Sequence, residues 1–109
     1  MLFRSIMNIE IVEVEENTPD ITQTVVSNIE DIDGFIQDFL NVDCFLIATD
    51  PRGISKNCVA IKIIYSNGDY ELIHASGQAE YTNETGFKNY VGYRYFDEAQ
   101  FEQLISNYS

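Results

Sequence analysis

The sequence predicts an α+β fold: a mostly antiparallel twisted sheet or a small open barrel of five to seven strands. One helix is expected near residues 28–41 and a C-terminal helix near residues 98–108. Three observations support this. Short apolar segments of strand length are separated by turn residues, two segments carry apolar residues at helical spacing, and Asn67-Gly68 joins two strand-like segments. With 109 residues, the chain is expected to form a single domain, residues 1–109.

The first two strands are predicted at residues 9–15 and 21–26, with a turn around Pro19 between them. The first strand carries apolar residues on both faces: Ile9 and Ile11 on one, Val12 and Val14 on the other. Such a slip in alternation indicates a β-bulge or a strand that is buried on both sides.

The first helix is predicted to begin at Ser27, which forms a capping box with Glu30, and to end near Asn41. Acidic residues in its first turn suit the helix dipole, and Gly34 weakens its interior by up to about 1 kcal/mol. The apolar residues at helical spacing are Ile29, Ile32, Ile36, Phe39 and Leu40, with Phe35 beside them.

A strand over residues 43–49 and a β-turn over residues 50–53 are predicted next. The hairpin around Asn67-Gly68 is expected to have a two-residue type I′ turn. That register pairs Tyr65 with Tyr70, Ile63 with Leu72, and Ile61 with His74. A three-residue turn would place Glu71 opposite Ile63, so the two-residue register is the expected one.

After a short strand at residues 78–82 and a loop at 83–88, an aromatic strand is predicted at residues 89–96. The last helix has the clearest local pattern. Asp97 is its expected N-cap, Gln100 completes a capping box, and Phe96 and Phe101 form a hydrophobic staple.

The net charge is the unusual global feature. Eighteen acidic residues against six basic ones give −12, and residues 1–50 hold eleven acids and one arginine, a balance of −10. Nucleic acids and anionic membranes are therefore not expected as partners, because their binding needs cations on the protein. A basic protein surface is the expected partner, unless the charge serves solubility alone.

Catalytic and cofactor motifs are not evident. His74 is the single histidine, and no nucleophile motif accompanies it, so a structural, partly buried role is expected. The acids of residues 31–38 do not match a calcium loop, and no zinc or phosphate-binding pattern occurs. We expect no enzymatic activity, no metal and no cofactor. Cys44 and Cys58 are expected to be reduced, buried thiols. With no signal peptide or membrane span recognised, a cytoplasmic protein is expected.

The expected function is that of a non-enzymatic, acidic protein-interaction module, an inhibitor or antagonist that docks on a basic, nucleic-acid-binding protein. The candidate binding carboxylates are Glu10, Glu13, Glu15, Glu16, Glu30, Asp31, Asp33 and Asp38. The first alternative is a structural domain that forms a homo-oligomer through Tyr90, Tyr93 and Tyr95, since tyrosine is enriched in interfaces. The second is a small-ligand binder with a pocket near His74, Tyr65 and Tyr70.

Overall fold

The computed structural model describes residues 5–17, 20–46, 58–75, 77–82, 86–90 and 94–109. Its elements in chain order are β1 (Ile6–Asn17), β2 (Asp20–Asn28), α1 (Ile32–Leu40), β3 (Cys44–Leu46), β4 (Cys58–Tyr65), β5 (Tyr70–His74), β6 (Gly77–Thr82), β7 (Gly86–Tyr90), β8 (Arg94–Phe96) and α2 (Glu98–Tyr108). The predicted α+β class is confirmed.

Six strands form one antiparallel sheet in the order β2-β1-β4-β5-β6-β7, and β3 pairs with β8 in a separate two-stranded sheet. Neighbours in the large sheet are consecutive in sequence except β1 and β4, which are separated in the chain by β2, α1 and β3. No pairing between the outer strands β2 and β7 occurs in the described residues, so the sheet is open.

Strand β1 is buried on both faces, and it also lies beside a bulge, as its apolar pattern predicts. Relative to β2, the register shifts between Ile11 and Val12: Ile11 lies opposite Ser27 and Val12 opposite Val25, which leaves Val26 as the extra residue. We call the two faces of the sheet the helix-bearing face and the concave face. Buried residues of the helix-bearing face are Ile9, Ile11, Ile61 and Ile73, and those of the concave face are Val12, Val14, Ala60 and Leu72.

The sheet is strongly coiled, because residues from distant parts of the concave face touch. Val14 lies opposite both Gln23 and Cys58, whereas Ile64 lies opposite Tyr70. In a flat sheet, three strand spacings and six residues of rise would separate Gln23 from Tyr70 by roughly 24 Å. Instead, Gln23 Nε2 donates to the Tyr70 hydroxyl at 3.1 Å. The structure thus combines the two predicted arrangements: an open sheet that is curved like part of a barrel.

The start of α1 differs from the prediction. Ser27 does not cap the helix, because β2 continues through Asn28 and the Ile29 amide donates to the Ile9 carbonyl at 2.9 Å. The Ser27 hydroxyl instead donates to the Tyr108 carbonyl at 2.6 Å. The N-cap is Asp31, and the helix ends at Leu40 with Asn41 as C-cap, close to the predicted end.

Gly34 has a local role in this cap. The Gly34 amide donates to Asp31 Oδ1 at 3.0 Å, and a Cβ on Gly34 would clash with Asp31 Oδ2 as it is placed here. Another residue at position 34 would therefore require the flexible Asp31 carboxylate to shift.

Helix α1 packs on the sheet through Phe35, which is buried, with Ile32, Ile36 and Phe39 around it. Leu40 was expected on this apolar face but is 69% exposed. Ile29 is buried in the same core, although it precedes the helix.

The predicted register of the β4–β5 hairpin is wrong by one residue. Ile61 lies opposite Ile73, Ile63 opposite Glu71, and Ile64 opposite Tyr70. The turn has three residues and ends at Gly68, whose φ of 91° is in the left-handed region that favours glycine.

The neighbouring strand explains this register. Strand β1 pairs Ile9 with Ile63 and Ile11 with Ile61, so the helix-bearing face needs an apolar residue opposite Ile61. Ile73, which is 3% exposed, meets that need. Glu71 is tolerated opposite Ile63 because it is only half-buried and accepts a hydrogen bond from the Tyr65 hydroxyl at 3.0 Å.

The predicted aromatic strand at residues 89–96 is divided between two strands in different sheets. Strand β7 includes residues 86–88, which were expected to be a loop, and pairs with β6, whereas β8 pairs with β3. The predicted short strand at residues 78–82 is confirmed as β6. The predicted turn around Pro19, the β-turn at residues 50–53 and the end of the strand predicted at 43–49 lie outside the described residues.

Helix α2 begins and ends as predicted. Asp97 Oδ1 accepts the Gln100 amide at 2.9 Å, and the rings of Phe96 and Phe101 are 5.9 Å apart, as a hydrophobic staple requires. The capping box is not formed, because the Gln100 side chain is bonded to Asp43 instead.

Candidate functional site

The two helices form an acidic surface, which we call the acidic helical layer. Within residues 28–46 and 97–109, all of which the structure describes, there is no lysine, arginine or histidine. Neither helix has a basic residue in its last turn. The layer carries eight carboxylates: Glu30, Asp31, Asp33, Asp38, Asp43, Asp97, Glu98 and Glu102.

Direct contacts join α1 and α2, and three of these acidic residues take part in them. The Phe35 and Tyr108 rings meet edge to face with centroids 4.9 Å apart, and the Tyr108 hydroxyl donates to Asp38 Oδ2. This hydrogen bond to a carboxylate raises the pKa of Tyr108 to about 12. Near the other end of α1, the Asp97 amide donates to the Asp43 carbonyl at 2.8 Å.

Half of the layer was not identified from the sequence. Asp43 is in the acidic first half but is not one of the predicted binding residues, and Asp97, Glu98 and Glu102 lie in the second half, whose net charge is small. No local pattern marks them as part of a common surface. The tertiary structure joins the first turn of α2 to the segment after α1, because Asp97 and Gln100 are hydrogen-bonded to Asp43.

The carboxylates of the layer differ in what holds them. Asp31 and Asp97 accept the hydrogen bonds that cap the helices, and Asp38 and Asp43 accept side-chain hydrogen bonds from the other helix. The remaining four carboxylates are on exposed side chains outside these bonds: Glu30, Asp33, Glu98 and Glu102. They are the groups that a partner can contact without breaking the joint between the helices.

The predicted acidic residues of β1 do not join this layer. Glu13 and Glu15 are exposed and share the alternation of Ile11, so they lie on the helix-bearing side. The chain that leads into α1 is bonded to β1 at Ile9, through the Ile29 amide. Glu15 lies six residues further along β1, about 20 Å from Ile9. The side chain of Glu16 lies outside the described part of the structure.

Glu10 is on the concave face, half-buried and opposite Lys62. Lys62 is the one lysine or arginine whose side chain lies within the described part of the chain, and its Nζ is 4.4 Å from the centre of the Tyr70 ring. The described cation is therefore on the face away from the helices. The seven predicted carboxylates with described side chains form separate groups and not one patch.

The three candidate interface tyrosines are not on one strand. Tyr90 ends β7 and lies opposite Ala79, whereas Tyr95 is in β8 and lies opposite Phe45. Tyr93 lies outside the described residues. Because β7 and β8 belong to different sheets, the proposed continuous aromatic interface is not formed by a single strand; whether these tyrosines contact a second copy stays a prediction.

The expected pairing of His74 with Ile61 is wrong. His74 lies at the end of β5 and pairs with Gly77 of β6. Its ring is half-buried and meets Phe101 edge to face, with centroids 6.0 Å apart. Burial lowers the pKa of His74, while the charges of Glu98 and Glu102 act in the opposite direction. The histidine thus packs against the first turns of α2, and its expected lack of a catalytic role stays a prediction.

Tyr65 and Tyr70 lie on opposite faces of the sheet and do not share a pocket. Tyr65 is two residues from Ile63 and lies with it on the helix-bearing face, whereas Tyr70 lies opposite Ile64 on the concave face. Tyr70 is stacked on Tyr81 with centroids 4.8 Å apart. The ligand pocket expected at His74, Tyr65 and Tyr70 is therefore not formed by the two tyrosines together.

A small recess of about 160 Å³ lies instead between β1 and β4, and Glu13, Glu15 and Cys58 are among the residues that line it. It is smaller than the ~300–1,000 Å³ of typical ligand pockets. Both cysteines are free thiols, but Cys44 is exposed and only Cys58 is half-buried, so the expectation of two buried thiols is wrong for Cys44. Burial raises the pKa of Cys58 to about 11.

Within the described residues, no group of three or more histidine, cysteine, aspartate or glutamate side chains is arranged to hold a metal ion. Neither helix of this part of the chain is both long and apolar enough to cross a bilayer. Comparison with protein-family models, with curated proteins and with solved structures finds no match for this chain.

Proposed function

We propose that the protein is a non-enzymatic interaction module that binds a basic protein surface through the acidic helical layer. The observation that supports this proposal is the concentration of eight carboxylates, without a lysine, arginine or histidine, in residues 28–46 and 97–109, the segments that contain the two packed helices. Neighbouring charges on one helix turn are closer than the Debye length of ~8 Å at physiological salt, so they act on a partner together. Such a field steers and accelerates the encounter with a surface of opposite charge.

The specific form that we propose is inhibition of a nucleic-acid-binding protein. The lysines and arginines that neutralise phosphates on such a protein are also available to an acidic protein surface. Occupation of these cations by the acidic helical layer would exclude the nucleic acid. The cytoplasm, where thiols remain reduced, is the proposed setting and suits the free thiols Cys44 and Cys58.

The test compares two variants with equal changes in charge. The layer variant combines Glu30→Gln, Asp33→Asn, Glu98→Gln and Glu102→Gln, which spares the caps and the bonds between the helices. The sheet variant combines Glu10→Gln, Glu13→Gln, Glu15→Gln and Glu71→Gln, and also changes the net charge from −12 to −8.

Each protein is used as bait in a lysate of its own source at low and high salt, and retained proteins are identified by mass spectrometry. We expect the unmodified protein and the sheet variant to retain the same basic protein at low salt, and the layer variant to lose it. Purified partner is then titrated to measure how log Kd depends on log salt, and the layer variant should have the smaller slope. Equal retention by all three proteins would refute the proposal.

A further inference from the structure

The outer edge of β2 is a second surface on which the structure supports an interaction. The charged residue of β2 is Asp20, at its start; residues 21–28 are uncharged, and the strand contains neither lysine nor proline. Natural edge strands are usually protected by such residues, because an unprotected edge can pair with another chain. Within β2, Val25 is 54% exposed and Val26 is 46% exposed, so apolar surface accompanies the backbone edge.

The two faces next to this edge differ in chemistry. On the helix-bearing side, Thr24 lies opposite Glu13 and Thr22 opposite Glu15, and all four side chains are exposed. On the concave side, the exposed Val25 lies opposite the buried Val12. On one face, side chains of a strand added to β2 would reach past the short threonines of β2 to the carboxylates of β1. On the other face they would meet the apolar side chain of Val25.

We propose that β2 binds an extended segment of a partner in which basic residues alternate with apolar residues. Two strand spacings, roughly 10 Å, would separate the added strand from β1, and extended lysine and glutamate side chains together bridge that distance. Basic residues of the segment would reach Glu13 and Glu15, and the intervening apolar residues would cover Val25. The bulge at Val26 interrupts the ladder, so pairing is centred on residues 22–25.

The charge favours this occupant over a second copy of the chain. A second β2 at the edge would bring no cation to Glu13 and Glu15, since the one charged residue of the strand is Asp20. It would also bring together two chains that each carry −12. A basic segment neutralises the same carboxylates. This edge is separate from the acidic helical layer, so the two proposals can succeed or fail independently.

The probe is a capped synthetic peptide of alternating lysine and valine, titrated into isotopically labelled, full-length protein and followed by NMR. We expect saturable shifts of the amides of residues 22–25 at peptide concentrations up to about 1 mM. N-methylation of the peptide amides that face β2 should abolish binding, whereas N-methylation of the opposite edge should not. A peptide of the same composition with its lysines in one block should bind more weakly.

Matched protein variants locate the cations. The double variant Glu13→Gln with Glu15→Gln should weaken peptide binding roughly five-fold, the effect of two exposed ion pairs. The double variant Glu10→Gln with Glu71→Gln makes the same change in charge at sites outside both proposed surfaces and should leave the Kd within about two-fold.

Three results would overturn this proposal: no shift in β2, equal binding of the peptide methylated on the β2-facing edge, or equal weakening by both double variants. Shifts of β2 that depend on protein concentration without peptide would also overturn it, in favour of a second copy at the edge. None of these results bears on the retention of a basic protein by the acidic helical layer, which is tested separately.

Discussion

The joint between α1 and α2 depends on the side chain of Gln100. Gln100 Nε2 donates to Asp43 Oδ2 at 2.9 Å, and Gln100 Oε1 accepts the Asp43 amide at 2.7 Å. The predicted capping box would direct this side chain to the Asp97 amide, but that amide donates to the Asp43 carbonyl. Asp43, three residues after the end of α1, is thereby bonded to the first turn of α2.

We expect Gln100→Ala to lower the free energy of unfolding by about 1 kcal/mol. Two net hydrogen bonds of ~0.5–1.5 kcal/mol each would be lost, at the lower end of this range because the side chain is exposed, and alanine recovers a few tenths in helix propensity. Asp43→Ala removes only the carboxylate acceptor and should cost about 0.5–1 kcal/mol. Because the two changes remove one shared bond, the double variant should be less destabilised than their sum by roughly 0.5 kcal/mol or more.

Urea denaturation followed by circular dichroism measures all three variants and the parent protein, with the slope m compared to establish that the transition stays two-state. Gln103→Ala is the control, since Gln103 is exposed and bonded to Asn107 at 2.9 Å within the same helix. It should be additive with Asp43→Ala. Additivity of Gln100→Ala with Asp43→Ala, within about 0.3 kcal/mol, would refute the reasoning and indicate that Gln100 caps its own helix.

Three other predictions concern the hairpin turn, the thiols and the histidine. Gly68→Ala should lower the free energy of unfolding by about 1–2 kcal/mol in urea denaturation, because φ at this position is positive; an unchanged stability would contradict the three-residue turn. At pH 8, Cys58 should react with a disulfide reagent about 100-fold more slowly than a thiol of ordinary pKa, because burial raises the Cys58 pKa to about 11. Mass spectrometry should find that the exposed Cys44 is modified first. Equal reaction rates for the two cysteines would contradict this prediction. Burial also lowers the pKa of His74, so the unfolded chain binds this proton more readily than the folded protein does. The His74 contribution to stability is therefore present above its ordinary pKa and is lost as pH falls through the lowered one. The stability of the parent protein minus that of His74→Gln should decrease from about pH 7.5 to about pH 5.5, and a constant difference would contradict the assignment.

Local signals in the sequence determined several elements correctly. Helix α2 needs only Asp97, its staple Phe96–Phe101 and the stripe that follows, all of which act within a few residues. The double burial of β1 could be predicted because Ile11 and Val12 are adjacent and both apolar, so a pleated strand must direct them to opposite faces. The α+β class follows from these two periodicities.

Interactions between distant segments decided the rest. Ser27 has the pattern of a helix cap, but pairing with β1 keeps it in β2. The Asn67-Gly68 turn was compatible with two registers, and the isoleucines that β1 presents to β4 favour the one that buries Ile73. In both cases a local preference worth about 1 kcal/mol is outweighed by the burial of large side chains in a shared core.

The candidate site follows the same rule. The sequence by itself determined that the chain is strongly acidic and that most of the charge lies in its first half. Only the tertiary structure decided how the acidic segments are placed: α2, which carries Glu98 and Glu102, packs beside α1 through Tyr108 and Phe35, while Glu10 lies on the opposite face of the sheet. Net charge is a sum over residues and is independent of the fold, whereas a binding surface depends on which segments are packed together in space.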